Sequence, residues 1–180
     1  MKPSKTLITG LRKQELLPAG DLGIESYYEL EAKILTHIAS LPDKPSNVVW
    51  FDGECIENKG DYFGLLGEFV KAADCESEIE IVRSEVDFDK GIADCSVSRQ
   101  GSLLKASWVQ DSDWVRSEFL EFTVSLLNSD KGEFVDIATG DQTYFALFLP
   151  SNLLKSFNQF RERDTKSRDG FFMQHGEAVK

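Results

Sequence analysis

No apolar run in the 180-residue chain approaches the ~18–20 residues that a membrane-spanning helix needs. The longest are 48–51 and 144–149. After Lys2 and Lys5 only Leu7 and Ile8 precede Thr9 and Gly10, well short of the roughly 7–15 apolar residues of a secretory signal. The expected location is the cytoplasm, without a membrane. Histidine is scarce: His37 and His175 stand alone, and no H-x-x-H or H-E-x-x-H spacing exists. The cysteines are three, Cys55, Cys75 and Cys95, an odd count at a spacing that matches no zinc or redox pattern. They are expected to be reduced thiols without a disulfide. No G-x-S-x-G, Walker-type loop or G-x-G-x-x-G is present. No catalytic residue, metal or cofactor is therefore expected.

Positive charge is also short. Twenty Lys and Arg face 31 Asp and Glu, for a net charge of −11. Residues 1–41 hold five acids and five bases, and residues 142–180 hold four acids and six bases. Between them, residues 42–141 hold 22 acids and nine bases. Such a field repels nucleic acid, whose binding needs Lys and Arg against phosphates. It attracts and orients a basic protein partner. Solubility alone is the plainer reading of the same charge.

What is present suits a globular core. Apolar residues make up 41% of the chain, an ordinary fraction, and 13 Phe point to an aromatic-rich interior. Leu7, Leu11, Leu16 and Leu17 suggest a short helix ended by Pro18. Ser26 and Glu29 form a capping-box pattern before a helix over 27–40, with Tyr27, Ile34, Ile38 and Leu41 on one stripe. Residues 48–51 read as a strand, and Asp52 with Gly53 as a hairpin turn into a return strand over 54–57. Asp61 is a plausible cap for a helix over 62–73.

The alternation over 78–89 changes phase and predicts a bulge near Ile81 and Val82. Residues 92–99 and 103–109 read as an antiparallel pair joined at Gln100 and Gly101, with Trp108 on the inner face. Asp111 to Asp113 look like a helix start. Residues 134–138 and 143–149 read as a hairpin around Gly140 and Asp141, the second strand being central because both its faces are apolar. Pro150 and Ser151 open a last helix. The predicted fold is α+β, a largely antiparallel sheet of five to six strands with about four packed helices. One domain spans 1–160, followed by a polar, mobile tail over 161–180.

Carboxylates are the one plentiful reactive group. Glu85, Asp87 and Asp89 alternate with Val86 and Phe88, which on a strand puts three acids on one face. That face is open to three readings: a cation site, a binding surface for a basic protein, or a solvated exterior. Trp50 lies beside Asp52 and Glu54, and Trp108 beside Asp111 and Asp113. Trp114 too lies beside Asp111 and Asp113. Aromatic anchors within charged rims are typical of interfaces, although the core is the plainer reading of each of the three tryptophans.

Gly140 to Phe145, followed by Pro150 to Leu154 and a basic, polar tail, resembles the bacterial immunity proteins of polymorphic-toxin and contact-dependent growth inhibition systems. That resemblance implies a small cytoplasmic inhibitor that masks the active site of a cognate toxin, often a basic nuclease. A non-catalytic adaptor or ligand-binding domain is the alternative, and a carboxylate-dependent enzyme is the third reading. The candidate partner-binding residues are Glu85, Asp87, Asp89, Trp50, Asp52, Glu54, Trp108, Asp111 and Asp113.

Overall fold

The computed structural model describes residues 2–137, 139 and 141–175, with side chains through Asp164. In chain order the elements are α1 (Lys5–Lys13), α2 (Tyr27–Ala39), β1 (Val48–Asp52), α3 (Asp61–Ala72), β2 (Ile79–Asp87), β3 (Ile92–Arg99), β4 (Ser102–Val109), α4 (Ser117–Leu127), β5 (Gly132–Asp136), β6 (Thr143–Pro150) and α5 (Ser151–His175). The chain divides into two compact units, residues 1–45 with 150–180, and residues 46–149.

The first unit is helical. Ser4 caps α1 by accepting from the Leu7 amide at 3.1 Å. The predicted capping box of α2 is complete: the Glu29 amide donates to Ser26 Oγ at 3.1 Å, and the Ser26 amide donates to Glu29 Oε2 at 3.1 Å. Both α1 and α2 pack on α5. Tyr27 meets Phe157 edge to face, with ring centroids 5.5 Å apart. The absence of a Cβ on Gly10 leaves room for the Leu153 side chain. The expected tail continues as helical backbone to His175, and residues 176–180 lie outside the described residues.

The second unit holds all six described strands. They form not one sheet but two antiparallel sheets of three, ordered β1-β6-β5 and β2-β3-β4, and five helices rather than four accompany them. Helix α3 touches β1 and β2, and α4 touches β4 and β5, so both helices join the two sheets through one core. Tyr62, Leu66, Phe69, Phe119 and Leu127 are buried there together with Val49, Val86, Val97 and Trp108. The predicted bulge is real. The β2–β3 register shifts between Ile81 and Arg83, and Val82, left without a partner, is 54% exposed. Strands β3 and β4 pair without interruption from Arg99↔Ser102 to Ile92↔Val109. β6 is central in its sheet, as its two-sided apolar pattern predicts.

Three local expectations fail, the first two because a tertiary bond outcompetes a local one. Asp52 and Gly53 make no hairpin, and 54–57 is not a strand. The Gly53 amide goes instead to Gln142 O at 2.9 Å, and β1 pairs with β6 in the register Val48↔Leu147 to Asp52↔Thr143. Asp111 to Asp113 do not open a helix. Their backbone is drawn off by Ile56 N donating to Asp113 O at 2.9 Å and by Gln110 Nε2 donating to Ser112 O at 2.6 Å, so α4 begins only at Ser117. Asp61 is not the cap of α3 but its first residue. Its carboxylate reaches back to the amides of Glu57 (2.7 Å) and Asn58 (2.6 Å), tying down the preceding loop.

A central strand exchanges its amide protons only on deep opening of the sheet. Amides from Tyr144 to Phe148 are accordingly expected among the slowest of this unit in hydrogen–deuterium exchange. Fast exchange across them would contradict the β1-β6-β5 order.

Candidate partner-binding surface

Two buried polar side chains build the surface. Tyr62 of α3 is fully buried, and its hydroxyl donates to Gln110 Oε1 at 2.7 Å while accepting from the Arg116 amide at 3.0 Å. Gln110 is 1% exposed, and its amide group donates to Ser112 O (2.6 Å) and Trp114 O (3.0 Å). Burial pushes the Tyr62 phenol above its ordinary pKa, against the opposing pull of the Arg116 amide, so the hydroxyl keeps its proton and its donor role. This network holds residues 111–116 in an irregular loop and presents Trp114 at the surface, 39% exposed.

That loop is sewn to the end of β1. The Val115 amide donates to Gly53 O at 2.8 Å, and the Ile56 amide donates to Asp113 O. Asp52 Oδ1 accepts from the Glu54 amide at 3.0 Å and from Gln142 Nε2 at 3.1 Å. Gly53 is required by this junction. A Cβ there would lie 2.7 Å from Gln142 O and 3.1 Å from the rings of Trp114 and Tyr144. Tyr144 stacks on its cross-strand neighbour Phe51 with centroids 5.1 Å apart and planes 7° from parallel, leaving one side of its ring to solvent. Trp50, on the other face of β1 with Asp52, leans on Phe145 at 5.4 Å. A cavity of about 340 Å³ opens between Trp114 and Tyr144, bordered by Asp136, Asp141 and Gln142.

The nine sequence candidates fall into distinct environments. Asp52 and Glu54 meet Asp113 through the strand-like pairing just described. Trp108 lies in the core, 5% exposed, edge to face with Tyr62 at 5.0 Å. Asp111 is ion-paired with Arg116 at 3.1 Å. Glu85 and Asp87 do share the outer face of β2, but Asp89 and the 48%-exposed Phe88 lie in the turn beyond the strand. Moreover, Glu85 sits against Lys59 and Arg83, each at 3.1 Å, and Asp87 against Lys90 at 2.7 Å. Lys59 first holds the Glu85 carboxyl below its usual range, and Lys90 does the same for Asp87.

Asp52, Glu54, Asp113, Asp136 and Asp141 are all exposed, and among the described residues none has a cation in ion-pair contact. The Asp141 carboxyl is held below its usual range chiefly by the Thr143 amide, which donates to it at 2.8 Å, so its charge persists into acid. Tyr62, Gln110, Asp136 and Tyr144 are the contributors that sequence alone does not single out. A Gln closing a strand carries no signal until its burial is known.

Among the described residues no group of three or more His, Cys, Asp or Glu could hold a metal ion, and no helix is long and apolar enough to cross a membrane. Cys55, Cys75 and Cys95 are free thiols. Burial is the first cause that raises each of their pKa values, and for Cys55 the nearby Asp61 and Asp52 add to it.

No family model matches the chain, and no curated protein matches it. Among solved structures, the PH0226 protein from Pyrococcus horikoshii OT3 is similar over 73% of this chain at 13% identity and a TM-score of 0.25. The match spans about half of that protein, 51% of its length.

Two outcomes are expected here. Tyr62→Phe keeps the ring but leaves Gln110 Oε1 and the Arg116 amide without their buried partner, so urea denaturation should show a loss of about 1–3 kcal/mol. A change near zero would mean that water replaces the hydroxyl and that the network does not hold the loop. Thiol titration should find three groups in the chain unfolded without reductant and slow alkylation of the folded chain at neutral pH, because raised pKa values leave little thiolate.

Proposed function

We propose that the chain is an acidic protein-binding inhibitor, an immunity protein that acts in the cytoplasm and neutralises a cognate basic, nuclease-type toxin by masking its active site. The observation that carries this reading is the surface at the end of β1 and β6. Exposed Trp114 and Tyr144 have nearby carboxylates, Asp52, Asp136 and Asp141 among them, that no cation of the described residues pairs with. Aromatic rings of this kind serve as anchors once a partner excludes water from them. Uncompensated acids around them set the sign of the partner, steer its approach and exclude acidic competitors. A cationic groove built to hold phosphates has the complementary charge.

The charge distribution supports the same reading. Residues 46–149 hold 21 acids and eight bases, a net −13, while the remainder of the chain is weakly positive at +2. The unit that carries the surface therefore carries the whole acidic excess. The candidate face on β2 is a weaker attractor, because Lys59, Arg83 and Lys90 already occupy Glu85 and Asp87.

The test begins with capture of a partner from the native host and an assay of that partner's nuclease activity with and without the chain. Inhibition separates an immunity protein from an adaptor. Reversing Asp52, Asp136 and Asp141 to Lys is expected to slow association and flatten its salt dependence. Trp114→Ala is expected to accelerate dissociation, with a loss of ~2 kcal/mol or more if it anchors the interface. Reversing Glu85, Asp87 and Asp89 should have the smaller effect of the two triple changes. A partner whose affinity is indifferent to salt, to the first reversal and to Trp114→Ala would overturn this surface as the interface.

A further inference from the structure

Strand β4 is the outer strand of the sheet β2-β3-β4, and no described residue pairs with its free edge. Its eight residues contain neither proline nor bulge. Leu103, Leu104 and Val109 are 53%, 42% and 58% exposed. A long, regular edge with apolar side chains is a template for another strand, and proteins ordinarily blunt such edges. The opposite edge of the same sheet is blunted: β2 carries the bulge at Val82, and its Val86 amide is taken by Lys59 O at 2.9 Å. On β4 the single charge of Lys105 is the one such device.

The direction of each backbone group on β4 follows from its hairpin. Gln100 and Gly101, with φ of 51° and 78°, form the two-residue turn. A turn of that kind closes on a hydrogen-bonded pair, Arg99↔Ser102. Hydrogen-bonded pairs then recur at every second residue. The far end agrees, since the Gln110 amide donates to Gly91 O at 2.9 Å. The even-numbered residues of β4 therefore bond to β3. Leu103, Lys105, Ser107 and Val109 point their amides and carbonyls outward.

Charge decides what can approach this edge. Residues 95–110 contain no carboxylate and two cations, Arg99 and Lys105, within a unit whose net charge is −13. A basic partner is steered away from such a strip and toward the acids. A second copy of the chain would set its Lys105 opposite Ser107, whose partner on β3 is Asp94.

We propose that two copies pair through β4, antiparallel about a two-fold axis at Ala106, joining their sheets into one of six strands. In this register Leu103 lies opposite Val109 of the other copy, and Leu104 opposite Trp108. Lys105 faces Ser107 instead of its own counterpart, which a two-fold axis at Lys105, a register shift of two residues, would bring together. All outward amides and carbonyls from Leu103 to Val109 are satisfied, and the three exposed apolar residues are covered.

An edge this short makes a small interface, so the dimer is weak. Sedimentation of the full chain between about 1 and 200 μM should show a reversible monomer–dimer equilibrium. Leu103→Glu combined with Val109→Glu places like charges opposite one another and should weaken dimerisation by more than tenfold. Leu103→Lys combined with Val109→Glu places opposite charges there and should preserve it. A second measurement needs no substitution. Hydrogen exchange at the Leu103, Lys105, Ser107 and Val109 amides should slow as chain concentration rises, while the even-numbered amides of β4 stay protected throughout. A chain that is monomeric across the whole range overturns the proposal, even if the edge accepts a strand from a different protein. So does a dimer that forms without concentration-dependent protection of those four amides.

Discussion

The hydrogen bond between Tyr62 and Gln110 is the constraint on which the exposed surface depends. Both side chains are buried, and a buried polar group left unpaired costs more than an exposed one. Their geometry is therefore specified tightly. The tyrosine sits on α3, the glutamine ends β4, and the glutamine's amide group clamps two carbonyls of the next loop. Helix α3 is thereby locked to the end of β4 and the loop that follows it by four hydrogen bonds. With those carbonyls and the Asp113 and Val115 backbone groups committed elsewhere, residues 111–115 cannot begin a helix. The ring of Trp114 is consequently held at the surface by its own backbone, not by packing around its side chain.

Carboxylates do not all count alike in such a molecule. An exposed ion pair adds little to stability, yet it changes what the surface offers to a partner. Lys59, Arg83 and Lys90 convert the acids of β2 into locally neutral pairs. Arg116 does the same for Asp111. The acids near Trp114 and Tyr144 keep their field because they are held by amides, not by cations: Asp52 by Glu54 N and Asp141 by Thr143 N. An amide donor stabilises the negative charge and leaves it uncancelled, whereas an ammonium cancels it.

Much of the fold was legible because its signals are local. The Ser26–Glu29 box, the phase change at Ile81 and Val82, the Gln100–Gly101 turn and the apolar run of β6 each state their structure within a few residues. The elements misread were those where local chemistry met a distant competitor. Asp52 and Gly53 have ideal turn chemistry, and Asp111 to Asp113 have ideal cap chemistry, but both backbones bond to residues far along the chain. The candidate site was half legible for the same reason. Asp52, Glu54 and Asp113 can be picked by type, and the spacing of Glu85 and Asp87 by alternation. Whether a cation answers each acid depends on folding, as Lys59 from another segment shows for Glu85. Trp108 and Trp114, six residues apart with acids beside both, differ because the β4 alternation turns Trp108 into the core while Trp114 lies beyond the strand in the loop.

Net charge alone would have a strongly acidic chain repel its own copies along every approach. Net charge is a poor guide at contact distance, however, because salt at physiological strength screens exposed charges beyond about 8 Å. Within that range only the groups lining the contact matter. The carboxyl-free strip over residues 95–110 is therefore electrically unlike the rest of its unit. It brings Lys105 and several small neutral side chains to the free edge of β4. The acids near Trp114 and Tyr144 instead lie around the ends of β1 and β6, in the other sheet. One surface selects by opposite charge and the other by matched backbone hydrogen bonding. They draw on different side chains but meet at Gln110, which follows β4 directly and holds the loop that carries Trp114.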